Sequence, residues 1–228
     1  MTVKMKPYSL LIFDWDGTLM DSAAHITQCM RNAIAVVGAE PRTDAQIRHI
    51  IGLGLDEAIQ HLYPNLSPSR IREIADEYRQ EFLVRTTHGS ELFSGARATL
   101  YTLAEQGYTL AVATGKSRRG LDKVLDETGL RELFPITRCA DETRSKPHPQ
   151  MLEEILTDCD TRKHDALMIG DSEYDLQMAL NIGMDSLAVS YGVHDLEHLR
   201  QHQPRGHVDD VTHIPGWLAA QKVINVRR

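Results

Sequence analysis

The stretch Ser9-Leu10-Leu11-Ile12-Phe13-Asp14-Trp15-Asp16-Gly17-Thr18 decides the fold of this 228-residue chain. Ser9 to Phe13 is nearly continuous in apolar residues, as a strand covered on both faces of a parallel sheet requires. The run breaks at once into two acids and a glycine. Open parallel sheets bind ligands beyond the carboxyl ends of their strands, so Asp14 and Asp16 stand where a ligand site is expected. A turn at Gly17 lets the second acid swing back over the first. Two carboxylates at that range call for a cation or a shared proton.

Beyond this stretch the period changes. From about Asp21 to Thr87 the pattern is helical, with Ile26, Met30, Ala33, Ile34 and Val37 on one face and a stop at Gly38. Further helices are expected over Asp44 to Ile51, Leu55 to Leu62 and Ser69 to Val84, with Ser67 as a cap before Pro68. No strand interrupts this block. After Gly89, strands and helices alternate. Strands are expected at Tyr108 to Ala113, Phe134 to Cys139, Ala166 to Ile169 and Ser186 to Val189. Helices fall at Gly95 to Glu105, Ser117 to Thr128, Pro149 to Thr157 and Tyr174 to Asn181. A last helix contains Trp217, Leu218, Ala219 and Val223. This order predicts an α/β fold: a Rossmann-like parallel sheet core with an inserted all-helical cap domain. The core spans 1–19 and 89–228, and the cap 20–88.

Composition sets outer limits. Lys and Arg number 25 against 32 Asp and Glu, a formal net charge of -7. That balance argues against a nucleic-acid polymer as partner, which needs a basic stripe. No apolar run is long enough to span a membrane. Cys29, Cys139 and Cys159 are an odd count without a CxxC pair, which fits three thiols in a reducing, cytoplasmic setting. No segment is visibly surplus to core and cap, so oligomeric state is not readable.

Each strand end then supplies chemistry. The first gives Asp14 and Asp16, and the second Thr114, Gly115 and Lys116. Lys146 follows the third, on a loop stiffened by Pro147 and Pro149. The fourth gives Gly170, Asp171, Ser172 and Asp175. Thr114 offers a hydroxyl beside the flexible backbone of Gly115. The string Thr114-Gly115-Lys116-Ser117 is not a nucleotide P-loop, because Leu110 stands where the first glycine should. A site of few carboxylates plus a substrate phosphate suits magnesium, which also makes attack by a carboxylate on a phosphate dianion feasible.

Together these segments resemble the haloacid dehalogenase-like hydrolase superfamily, in its phosphoglycolate phosphatase-like branch with a helical cap. The matches are Asp14-Trp15-Asp16-Gly17-Thr18-Leu19-Met20-Asp21-Ser22, Val112-Ala113-Thr114-Gly115, Ser145-Lys146-Pro147, and Gly170-Asp171-Ser172 with Asp175, in the family's order. Trp15 and Ser172 are mild departures. The resemblance implies that Asp14 is the nucleophile, forming an aspartyl-phosphate, and that Asp16 is the acid and base for the two half-reactions. Thr114, Gly115 and Lys146 would hold the phosphoryl group. Mg2+ would be held by Asp14, the backbone carbonyl of Asp16, Asp171 and, directly or through water, Asp175. The substrate would be a small phosphomonoester: phosphoglycolate, a sugar phosphate or a nucleotide monophosphate. A phosphomutase of the same fold keeps the same catalytic set. A non-catalytic phosphorylatable receiver-like domain also uses aspartate, threonine and lysine around magnesium, but in another order.

Specificity is expected from the cap. Gly52, Leu53 and Gly54 form a hinge or contact loop. His25, Arg48 and His49 are candidates to meet the leaving group. Lys116, Arg118 and His194 lie near the rim, and Met20 reads as a packing residue.

Overall fold

The computed structural model describes residues 8–85 and 91–221. The expected domain boundary at 88/89, and Val223 of the last helix, lie outside the described residues. The chain opens with β1 (Leu10–Phe13) and a two-residue β2 (Met20–Asp21). Four helices follow: α1 (Ala23–Val37), α2 (Asp44–His49), α3 (Leu55–Leu62) and α4 (Pro68–Gln80), the last running into a π-helical turn at Glu81–Arg85. Next come β3 (Glu91–Leu92), α5 (Ala96–Glu105), β4 (Thr109–Thr114), α6 (Arg118–Thr128) and β5 (Ile136–Cys139). The chain continues with α7 (Gln150–Asp158), β6 (Ala166–Gly170), α8 (Glu173–Asn181) and β7 (Asp185–Val189). It closes with α9 (Leu196–Arg200), β8 (Gly206–Val208) and α10 (Ile214–Gln221).

Six strands form one parallel sheet in the order β5-β4-β1-β6-β7-β8. β1 lies between β4 and β6, with Phe13 opposite Val112 on one side and Ile169 on the other. The chain therefore reverses its direction of travel across the sheet at β1, which is where such sheets open a crevice. Side chains alternate across the pleat. Leu11, Phe13, Val112 and Ile169 pack with α5, α6 and α10. Leu10, Ile12, Ala113 and Met168 pack with α7 and α8. Trp15 is fully buried, edge-on to Phe134 at 6.0 Å between ring centroids, and its indole N–H donates to Met20 Sδ at 3.4 Å. Met20 is thus a packing residue, as the sequence suggests.

The helices of residues 23–80 enclose a separate apolar cluster, with Met30, Ile34, Ile47, Ile59 and Ile74 at its centre. Local sequence sets their ends. Thr43 and Gln46 form a reciprocal capping box on α2, and Ser67 accepts from Arg70 N before Pro68 at the first turn of α4.

The structure differs from the expected element list in four places. The helical block does include strand: Met20–Asp21 pair antiparallel with Glu91–Leu92, joining the two chain segments that flank the helices. Two residues leave no periodic trace in sequence. α2 ends at His49, two residues early, because Ile50 and Ile51 turn inward as buried residues. α4 widens into the π turn over Glu81–Arg85 instead of continuing as α-helix. The tail adds α9 and the sixth strand β8, three residues long. Among the described residues no helix is long and apolar enough to cross a membrane.

Candidate active site

Asp14 is the first residue past β1, and its N–H donates to Ile169 O at 2.9 Å, which locks the strand end against β6. Its carboxylate is almost fully buried. Lys146 Nζ, wholly buried, lies 2.8 Å from Asp14 Oδ1 and donates to Asp175 Oδ1 at 2.6 Å. Asp171 follows β6. It accepts from Thr18 Oγ1 at 2.7 Å and from Val193 N at 2.8 Å. A Cβ at Gly17, whose φ is +80°, would overlap the Asp171 carboxylate. That close approach explains why glycine must follow the second acid.

Three carboxylates and one ammonium therefore share a dry space. Burial raises the Asp14 carboxyl well above the usual range; Lys146 opposes the rise, and Asp175 and Asp171 add to it. Burial and then the Asp175 charge push Asp171 up to about 7, against the pull of Thr18, Val193 and Lys146. Burial alone would lower Lys146, but the Asp14 and Asp175 carboxylates outweigh it and hold its pKa above the ordinary lysine value. Net negative charge in low dielectric is costly.

A divalent cation fits this set. Both Asp14 carboxylate oxygens are buried; Oδ1 faces the Lys146 ammonium, and Oδ2 accepts no hydrogen bond among the described residues. Oxygens of Asp14, Asp171 and Asp175 lie within 4.8 Å of one another. All are hard oxygen donors, the chemistry magnesium takes. Asp175 is already engaged on both oxygens, since Oδ2 accepts from Ser172 N at 3.1 Å and Ser172 Oγ at 2.6 Å. Its geometry suits orienting Lys146 and the Ser172 turn.

Asp16 sits on the cleft side. Its Oδ1 accepts from Ser22 Oγ at 2.6 Å and pairs with Lys116 Nζ at 2.9 Å. Lys116 is buried, and its ammonium stands 4.6 Å from the Phe82 ring centroid. Phe82 belongs to the π turn; such single-turn widenings often mark functional positions. It stacks on His25 at 4.9 Å and on Tyr78 at 5.7 Å. Phe82 and Tyr78 carry no sequence signal of a site role, and Ser22 stands out only as the end of the first motif. Lys116 and Arg118 both read as rim charges from sequence, but they part company. Arg118 turns outward to Glu142 at 2.8 Å, while Lys116 turns in to Asp16. The one signal for Lys116 was its place directly after Thr114-Gly115 at a strand end.

The helical segment touches the core through the Gly52–Gly54 loop. Gly54 N donates to Ser145 Oγ at 2.7 Å. A Cβ at Gly115 would collide with the backbone carbonyls of Gly52 and Leu53, so Gly115 is the socket for that loop. Thr114 is fully buried, and its Oγ1 accepts from Lys116 N at 3.2 Å. Between the loop, α1, α4, the π turn and the core lies a cleft of about 280 Å³. Asp14, Asp16, Gly52, Gly115 and Lys116 line it from one side, and Ile26, Met30, Tyr78 and Phe82 from the other. His25 backs Phe82. Arg48 and His49 do not line the cleft: Arg48 is half-buried, and His49 stacks on His194 at 4.9 Å. His194 is buried behind the site.

The chain matches the model of the haloacid dehalogenase-like hydrolases over residues 11–189. It is 31% identical to a phosphoglycolate phosphatase of Vibrio cholerae, over 91% of this chain and 95% of that protein. It is 29% identical to a 5'-nucleotidase of Pseudomonas aeruginosa, over 90% and 92%. The crystal structure of a predicted phosphoglycolate phosphatase from Haemophilus somnus superposes with a TM-score of 0.84 at 23% identity, over 93% of this chain and 99% of that one.

Proposed function

The chain belongs to the haloacid dehalogenase-like hydrolase family and is a phosphoric monoester hydrolase, and from that premise we propose that Asp14 is its nucleophile and Mg2+ its metal. The observation that carries this reading is the Asp14 carboxylate: buried, with one oxygen on a buried lysine and the other without a hydrogen bond, close to Asp171 and Asp175 oxygens. A carboxylate kept so poorly satisfied is costly to the fold and is explained by a cation and a reacting phosphoryl group.

Asp14, Asp171 and the Asp16 carbonyl would hold the ion, with Asp175 orienting the surrounding groups. When bound, magnesium offsets the carboxylate charge and polarises the phosphoryl oxygens. Asp14 attacks phosphorus and the ester oxygen leaves, giving an aspartyl-phosphate on this side chain. Asp16 delivers the proton to that leaving oxygen, then takes one from the water that hydrolyses the intermediate. Ser22 and Lys116 both hold its Oδ1, which fixes the carboxyl for both transfers. Thr114, Gly115 and Lys146 position the transferring oxygens, and Lys146 steadies Asp14.

The helices between β2 and β3 act as the cap that shields this chemistry from water. Of the substrate classes phosphoglycolate, sugar phosphate and nucleotide monophosphate, the cleft favours a leaving group with an apolar or aromatic face. Ile26, Met30, Tyr78 and Phe82 supply such a surface. The lining cations are already paired, Lys116 with Asp16 and Arg79 with Asp56 and Asp76. A small phosphorylated metabolite is the partner, and a cytoplasmic setting is supported by three cysteines that stand as thiols, two of them buried.

The test is phosphate release from a panel of phosphomonoesters, in magnesium and in chelator. Release that stops in chelator and in Asp14→Asn supports the reading. An isomerised ester in place of free phosphate would make the protein a mutase.

A further inference from the structure

Four of the chain's 11 histidines, His49, His194, His198 and His202, gather away from the cleft around one residue, Glu173. Glu173 is the first residue of α8. Its Oε1 lies 3.6 Å from His49 Nε2. Its Oε2 lies 3.2 Å from His198 Nε2 and 3.6 Å from His202 Nε2. His198 and His202 are four apart, on α9 and the turn that ends it, so their rings share one face. The Glu173, His198 and His202 donor atoms lie within 4.8 Å of one another, and His49 forms a second such group with Glu173 and His194, sharing the Glu173 carboxylate. His198 Nε2 is buried and makes no hydrogen bond among the described residues.

His194 has a different task. Its Nδ1 accepts from Glu173 N at 3.0 Å, which puts the ring proton on Nε2 for donation to His49 O at 3.0 Å. Both nitrogens are spent, and burial lowers its pKa and favours the neutral ring. It positions the backbones of Glu173 and His49 and is not a ligand.

Three imidazoles facing one carboxylate are hard to satisfy with protons. Charged rings repel one another, and neutral rings carrying the proton on Nε2 could donate to Glu173, but at 3.6 Å His49 and His202 stand too far off to do so. One divalent ion removes both difficulties. We propose that Glu173, His198, His202 and His49 bind a single transition-metal ion of the zinc class, at a site separate from the Asp14 cluster. The donor chemistry tells the two sites apart: imidazole nitrogens with one carboxylate suit zinc-like ions, whereas the oxygen-only cluster suits magnesium. His49 ends α2 in the helical segment, while the other three ligands belong to the core. The ion therefore clips the two together, three residues before the Gly52 contact loop.

The experiment is titration of Co2+ into tag-free, chelator-stripped protein held in excess Mg2+, read by visible absorption. One equivalent is expected to bind with the intense bands of four-coordinate cobalt, and Zn2+ to abolish them. The joint variant His198→Gln, His202→Gln should bind at least about 100-fold more weakly while keeping magnesium-dependent turnover. His202→Gln alone serves if the joint variant misfolds. His49→Ala should weaken binding about tenfold and shift the spectrum toward higher coordination. Absence of stoichiometric uptake under excess Mg2+, or uptake unchanged without His198 and His202, overturns the site. An unchanged spectrum in His49→Ala overturns the clip.

Discussion

The core holds buried charge at and behind the cleft, while the helical segment gives it a mixed wall, apolar at Ile26, Met30, Tyr78, Phe82 and Leu83 and charged at Asp56, Glu57 and Arg79. Asp14, Lys146, Asp171 and Asp175 are charged and at most 1% exposed as side chains or residues. Tyr78, Phe82 and Leu83, from the other wall, are apolar and only half-buried. The core thus holds fixed charge in a dry place, where electrostatic interactions are strong and unpaired groups expensive. The helical wall offers adaptable surface, which ties substrate choice to a part that can change without disturbing the reaction.

This contrast can be broken or sharpened by substitution. The largest effect belongs to Asp14→Asn, which should cut kcat by at least about 10⁴-fold, read in the phosphate-release assay. Lys146→Met comes next. It strands the Asp14 and Asp175 charges, so chemical denaturation in chelator should show a loss of about 3–5 kcal/mol, together with lost activity. Trp15→Ala in the core beneath Asp14 should cost a similar about 3–5 kcal/mol through its cavity. On the other wall, Phe82→Ala should raise KM for bulky esters about tenfold with little change in denaturation midpoint. If Phe82→Ala proved as destabilising as Trp15→Ala, the division between fixed core and adaptable wall would fail.

The charged side of the contrast also shows in pH dependence. Asp171 rises from 3.8 in the unfolded chain to about 7 in the metal-free fold. Between those values the folded state holds a proton that the unfolded chain has released. Stability in chelator should therefore fall as pH rises through that window and level off above it. Thermal unfolding should show a Tm that drops by about ten degrees across the window, and added Mg2+ should restore more at the alkaline end than at the acid end. A Tm that rises through the window would contradict the raised Asp171.

The same contrast explains what could be read from sequence. Asp14, Asp16 and Gly17 are legible because strand, turn and acid lie within a few residues, and the sheet model alone brings Lys146 and Asp171 to them. Lys116 was not separable from Arg118, because its inward turn depends on Phe82 and on a π turn that no periodicity announces. From sequence His49 is a candidate to meet the leaving group. Its real neighbours, His194 and His198, lie about 150 residues away and reach it only through packing of helices against the core. β8 escaped because three residues carry too little alternation to register.

The central claim is that Asp14 takes up the phosphoryl group. It is tested most directly by acid quench within the first turnover, in magnesium with a hydrolysable phosphomonoester, followed by mass spectrometry of the peptide containing Asp14. The expected result is a phosphoryl group on Asp14 that disappears as phosphate is released, and that never forms in chelator or in Asp14→Asn. Phosphate release at full rate with Asp14 unmodified throughout, or undiminished in Asp14→Asn, would contradict it.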